Sequence, residues 1–289
     1  MSKQTEEMSF LGHLEVLRWT LVRSYLAILV FGMVAFMMKD FIFNSILLAP
    51  KDPQFFTYRF LCSFSKFFGT EGLCIDEIPF IVQSRTMAGQ FSAHIWTSIA
   101  FGFVMAFPYI IWEVWKFIKP ALYENEQKNA RSFIIITSFL FFLGILFGYY
   151  VITPLSINFL GSYRVAEEVK NNFDLSSYTG LLKASCLSAG FIFELPVIIY
   201  FLTKMGLVTP EFLKTYRKYA LVLVLILAAV ITPPDIISQV IVAIPMIILY
   251  EVSIKISKFI VNKQKKGNRK RTGQKVNKGQ LPNAKYKSK

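Results

Sequence analysis

Four stretches of this chain, roughly residues 20–38, 93–111, 132–152 and 181–202, are apolar for about the ~20 residues that a helix needs to cross ~30 Å of hydrocarbon. Two shorter runs follow, near 219–231 and 236–250, joined by Thr232-Pro-Pro-Asp235. In lipid every backbone N–H and C=O must be satisfied internally, so runs of this length commit the chain to helices. Composition agrees: 54% of the 289 residues are hydrophobic, 17% are charged and 29 are phenylalanine, too apolar for an ordinary soluble domain. The expectation is an all-α integral membrane protein with six transmembrane helices. The last two are short, a helical hairpin that thins the bilayer or leaves a concave face.

Orientation is read from lysine and arginine. Assigning all 32 to the nearer side, Arg23 and Lys183 included, gives 24 on one side and 8 on the other. The richer side is cytoplasmic by the positive-inside rule, so both termini are expected inside (N-in, C-in). The first apolar run follows Glu6, Glu7 and Glu15, is span-length and lacks a small-residue cleavage site, so it is expected to stay in the membrane. Three regions result: a cytoplasmic amphipathic segment over 1–19, a membrane domain over 20–260 with an enlarged external loop at about 39–92, and a basic, disordered cytoplasmic tail over 261–289. The amphipathic reading rests on Phe10, Leu14, Leu17 and Leu21, which share one helix face.

Polar residues inside such runs are the first candidates for function. Glu194 lies within the fourth run, two residues before Pro196, and an intramembrane carboxylate defaults to a functional hypothesis. The plainer role is a hydrogen bond that joins two spans. In the loop after the second run, Glu124 has Lys128 at i+4, whereas Glu126 has Asn129 and Ala130 at i+3 and i+4. Glu126 is therefore the freer acid to meet an outside cation. Glu15 has Arg18 three residues on. Cys62 and Cys74 bracket a small segment of the external loop and are expected to form a disulfide, while Cys186 packs as a small apolar residue. With two histidines, no His-Glu-x-x-His and no Gly-rich phosphate loop, neither a metal nor a cofactor nor an enzymatic activity is expected. Gly144 and Gly148 mark helix packing in the third span.

Several phrases then add a resemblance. Gly12-His-Leu-Glu-Val-Leu-Arg18, Phe107-Pro-Tyr-Ile-Ile-Trp-Glu-Val-Trp-Lys-Phe-Ile-Lys-Pro-Ala-Leu-Tyr-Glu-Asn-Glu126, Phe193-Glu-Leu-Pro196 and Thr232-Pro-Pro-Asp-Ile-Ile-Ser-Gln239 resemble the TatC family, the multispanning core of the twin-arginine protein translocase. The resemblance runs from about residue 9 to about residue 259. It implies a concave, glove-like arrangement in the bacterial cytoplasmic (inner) membrane. It also implies a receptor for twin-arginine signal peptides of folded cargo, transport driven by the proton-motive force, small single-span TatA/TatB-type subunits as partners, and self-association. By the same resemblance Glu126 is the loop acid that meets the signal, with Glu15, Arg18 and Phe117 beside it. Carboxylates suit arginine because the guanidinium fork binds them bidentately. Glu15 departs from the family pattern His-Leu-x-Glu-Leu-Arg by one residue, about 100° around a helix. Glu194, Asp235 and Gln239 are implied as intramembrane polar or partner contacts, and Asp235 equally suits a helix cap. Pro50, Pro108, Pro120 and Pro196 are read as structural. The basic tail is expected to meet membrane lipid rather than any specific nucleic acid. The rival reading is a proton-coupled small-molecule or ion transporter using Glu194, against which stands the absence of two similar halves.

Overall fold

The computed structural model describes residues 10–67, 80–119, 130–166, 168–169, 171–232 and 236–279. The chain divides into two compact units, Met1–Glu194 with Ile226–Ala243, and Leu195–Leu225 with Ile244–Lys289.

In the first unit α1 (Phe10–Met37) is followed by a π-helical turn (Phe41–Leu47), a 3-10 turn (Ala49–Lys51) and α2 (Phe56–Phe67). Strand β1 (Ile81–Gln83) precedes α3 (Gly89–Ile118) and α4 (Ala130–Phe147). A second π turn (Gly148–Ile152) leads into α5 (Thr153–Ser162), then β2 (Asn172–Asp174) and α6 (Leu175–Phe193).

Two antiparallel crossings hold these long helices, and each depends on glycine. A Cβ on Gly102 of α3 would come within 2.6 Å of both the Gly32 nitrogen and the Ile28 oxygen of α1. One on Gly144 of α4 would meet the Ala189 oxygen of α6 at 2.6 Å, and one on Gly148 the Cys186 Cα at 2.6 Å. Lipid supplies no hydrophobic drive between spans, so close backbone approach and dispersion must do the work, and small residues permit both. The stacked Phe107 and Phe141 rings, 3.5 Å between centroids, tie α3 to α4. The buried core above these crossings is Ala35, Ile42, Leu47, Leu182 and Cys186.

A cap closes the end of the unit where α1 stops. The π and 3-10 turns leave carbonyls that no regular helix satisfies, and tyrosine hydroxyls take them up. Tyr58 donates to the Pro50 oxygen (2.9 Å) and the Pro154 oxygen (3.1 Å), Tyr178 to Leu47 (2.8 Å) and Tyr149 to Ile46 (2.8 Å). Thr57 donates to the Tyr150 oxygen. Burial pushes the Tyr58 phenol well above its ordinary range, so it stays a donor. Strands β1 and β2 pair in parallel, Ile81 with Asn172 and Gln83 with Asp174. Asp174 then caps α6: it accepts from the Arg85 backbone N–H (3.0 Å) and the Ser176 N–H (3.0 Å), bonds that hold its carboxyl below the usual carboxylate range.

The second unit holds α7 (Leu195–Lys204), α8 (Pro210–Thr215), the first part of α9 (Arg217–Ile231) and most of α10 (Ile236–Gly279). Ile199, Leu213, Tyr250 and Ile254 form its core, and Tyr250 donates to the Leu213 oxygen (2.8 Å).

Several expectations are corrected. Among the described residues, five helical stretches are long and apolar enough to cross a membrane: Leu14–Met37, Gly89–Ile118, Arg131–Ser162, Leu175–Lys204 and Ser238–Lys263. The expected short fifth helix corresponds to α9, but the sixth is not short. The sixth apolar run was expected near 236–250, and Glu251, Lys255 and Lys258 follow it. In the structure Glu251 pairs with Arg217 at 2.6 Å, and Ser257 accepts from Thr203 at 2.9 Å. Polar residues with protein partners do not end a helix. α10 also runs on to Gly279, where an irregular tail was expected; Lys, Arg and Gln are good helix formers. From Phe10 onward α1 is one continuous helix, with Leu14 and Leu21 exposed on it. The all-α expectation gives way to a mostly helical fold with one small parallel sheet.

Candidate functional site

Because α1 and α3 are antiparallel, the first turns of α1 and the last turns of α3 lie at one end of the pair. Glu15 and Arg18 are exposed on α1, and Phe117 is half-buried near the end of α3. Residues 120–129, which follow α3 in the chain and carry Pro120 and Glu126, lie outside the described residues.

The same end contains a charged group that sequence reading passed over. Glu113 on α3 is 1% exposed. Its carboxylate accepts from Lys116 Nζ at 2.6 Å and faces the Arg23 guanidinium of α1 at 3.5 Å. Lys116 Nζ also sits 3.9 Å from the Trp112 ring centroid. A buried carboxylate is costly unless paired, and here two half-exposed cations pair it, one from each helix. The Glu113–Lys116 spacing was visible in the sequence as an i,i+3 pair. The Arg23 partner, ninety positions earlier, was not.

The second group of residues centres on the break between α6 and α7. α6 ends at Phe193, Glu194 occupies a single-residue turn, and α7 begins at Leu195. Pro196 falls in the first turn of α7, where a missing N–H costs little. Glu194 is 7% exposed, and its Oε1 has no hydrogen-bond partner among the described residues. Gln239 is half-buried on α10, while Asp235 lies outside the described residues. Of the other predicted residues, Pro50 is buried and its carbonyl is clasped by Tyr58, and Pro108 lies inside α3. Cys62 is disulfide-bonded and Cys186 is free; Cys74 lies outside the described residues. Among the described residues no group of three His, Cys, Asp or Glu side chains is arranged to hold a metal.

The model of the family described as Sec-independent protein translocase protein (TatC) matches residues 12–245. The chain belongs to the TatC family. It is 42% identical over 267 residues to the Sec-independent protein translocase protein TatC of Blattabacterium sp. subsp. Periplaneta americana (strain BPLAN), covering 92% of this chain and 100% of that one. Against the TatC of Carboxydothermus hydrogenoformans it is 32% identical over 268 residues, covering 92% and 100%. A crystal structure described as the twin arginine translocase receptor TatC superposes with a TM-score of 0.64 at 30% identity, covering 86% of this chain and 98% of that chain. As a member of the TatC family the chain is a multi-pass membrane protein and a component of a Sec-independent protein translocase, with a role in transport rather than catalysis. A translocase component works within a complex.

Proposed function

We propose that this chain is the receptor for twin-arginine signal peptides and the core subunit of a translocase that exports folded proteins across the bacterial inner membrane, driven by the proton-motive force. The observation that carries this reading is the end of the α1–α3 pair. Glu15, Arg18 and Phe117 share that end, and the loop holding Glu126 leaves from it. Two arginines of a signal peptide require exposed carboxylates with room for bidentate contact. Glu126 is the principal acceptor, and Arg18 orders the neighbouring acids. Both termini face the cytoplasm, which puts this end where unexported cargo arrives. α9, 15 residues long, completes a sixth crossing; at ~1.5 Å per residue it spans only ~22 Å, so the bilayer thins beside it. Glu194 offers a polar handle to a partner helix of the small single-span TatA/TatB-type subunits or to the inserted signal, with Asp235 and Gln239 nearby in sequence order along the last helices.

The test is site-specific photocrosslinking from positions flanking Glu126 to a signal peptide carrying Arg-Arg or Lys-Lys. Crosslinks that fade with Lys-Lys are expected. Glu126→Ala should lower export of twin-arginine cargo at least about tenfold, the scale of one lost charged hydrogen bond, with the protein still inserted. Equal labelling by both peptides would move the alternative, a proton-coupled transporter working through Glu194, to the front.

A further inference from the structure

A cavity of about 430 Å³ opens at the cap end of the α1–α3 pair, away from the receptor face. Its wall is built around His94. That ring stacks on Phe36 with 3.9 Å between centroids, meets Phe43 edge-on at 5.8 Å, and its Nε2 lies 3.0 Å from the Phe36 carbonyl oxygen. Lys39, Asp40, Asn44 and Gln90 line the cavity with it. No hydrogen bond or ion pair engages the side chains of these four among the described residues.

Position and charge together define what fits. The apolar stretch of α1 ends at Met37 and that of α3 begins at Gly89, so the cavity lies where two spans leave the hydrocarbon, at headgroup depth. Phe91 lines it and is 63% exposed, and Phe41 on the adjoining turn is 55% exposed, which gives the polar hollow an apolar rim open to lipid. Lys39 and Asp40 are successive residues on helical backbone, about 100° apart, so they do not face and neutralise each other. Both nonetheless line the same hollow. A cation and an anion held apart, with two amides in the same lining, complement a ligand that is itself dipolar.

We propose that this cavity binds the phosphoethanolamine headgroup of one membrane glycerophospholipid. Lys39 takes the phosphate, and Asp40 accepts from the primary ammonium. Asn44 and Gln90 supply further hydrogen bonds, and the acyl chains lie along the rim at Phe41 and Phe91. An anionic phosphatidylglycerol offers Asp40 only neutral hydroxyls in place of a cation, and a phosphatidylcholine ammonium has no N–H to donate. The site depends only on the spanning helices, not on the receptor reading.

The experiment is native mass spectrometry of the full chain, delipidated in detergent and titrated with dioleoyl phosphatidylethanolamine, phosphatidylglycerol or phosphatidylcholine. One phosphatidylethanolamine should bind about tenfold more tightly than either of the others, the worth of one charged hydrogen bond. Asp40→Asn should erase that preference, and Lys39→Gln should weaken all three lipids. A competition arm with soluble phosphoethanolamine separates the sources: the lipid assignment requires that it compete far more weakly than the intact lipid. Equal binding of the three lipids to the unaltered chain overturns the proposal, as does an Asp40→Asn variant that keeps the preference. Because both variants alter exposed side chains, their folding is checked by unchanged melting, and the ranking among lipids is read within each variant.

Discussion

The two glycine-mediated crossings of the first unit are built alike up to the point where each meets a carboxylate. At α1–α3, Gly102 lets the backbones touch, and further along the same pair Glu113 is buried and bracketed by Arg23 and Lys116. At α4–α6, Gly144 and Gly148 do the same work, but α6 is followed by Glu194, which is buried with an oxygen that has no partner among the described residues. The difference separates two uses of a buried acid. A paired acid fixes the relation of two helices. An acid whose oxygen has no partner among the described residues costs stability without joining two helices, which is the ground for our proposal that Glu194 serves a partner.

The comparison breaks most visibly at the glycines. Gly102→Leu and Gly144→Leu drive a side chain into backbone atoms that have no freedom to retreat, and each should destabilise by about 3 kcal/mol or more. Loss of monodisperse protein in detergent is the readout, and two well-behaved variants would show that the crossings are not held by close approach. Next comes Glu113→Ala. It should cost about 1–2 kcal/mol, less than the ~3–5 of a fully buried pair, because both cations it strands are half-exposed and can rehydrate. Its melting temperature should fall, and Arg23→Ala should have little further effect in the Glu113→Ala background. Additive losses would show that the cross-helix pair is not the source. The smallest structural effect belongs to Glu194→Gln, within about 1 kcal/mol, since its Oε1 has no partner to lose among the described residues. Export of twin-arginine cargo should nonetheless drop. A variant that melts early and exports normally would make Glu194 a packing residue and collapse the contrast with Glu113.

The legibility of these features in the sequence tracks how local they are. Four long spans are visible because hydropathy is local, and the helix-packing role of Gly144 and Gly148 is visible because the two recur one turn apart. Glu194 stands out for the same reason: it is polar where neighbours are not. The length of α10 was hidden because Glu251 looks like an interruption until its ion pair with Arg217, thirty-four positions earlier, is seen. β1 and β2, three residues each, are too short to show alternation, and they exist only because each supplies the other's partner. Glu113 was concealed by company: it sits between Trp112 and Trp115, aromatic rings that suit a membrane interface, and only the cross-helix Arg23 reveals it as an anchor. Glu15, Arg18 and Phe117 could be placed at one end from topology alone, whereas the geometry around Glu126 lies outside the described residues.

The parallel pairing of Ile81 with Asn172 has a consequence for biosynthesis. Parallel strands need a long crossover, and here the crossover includes α3, α4 and α5. Tyr178, which clasps Leu47, is synthesised later still. A ribosome-bound chain that has delivered its first three long helices therefore carries a cap whose carbonyls and strand edge are still open. The cap matures in one late step, when α6 enters, and until then it is the part of the nascent protein most exposed to proteases and quality-control factors. Arrested chains in which α6 has and has not left the ribosome should differ sharply in protease resistance at residues 41–67.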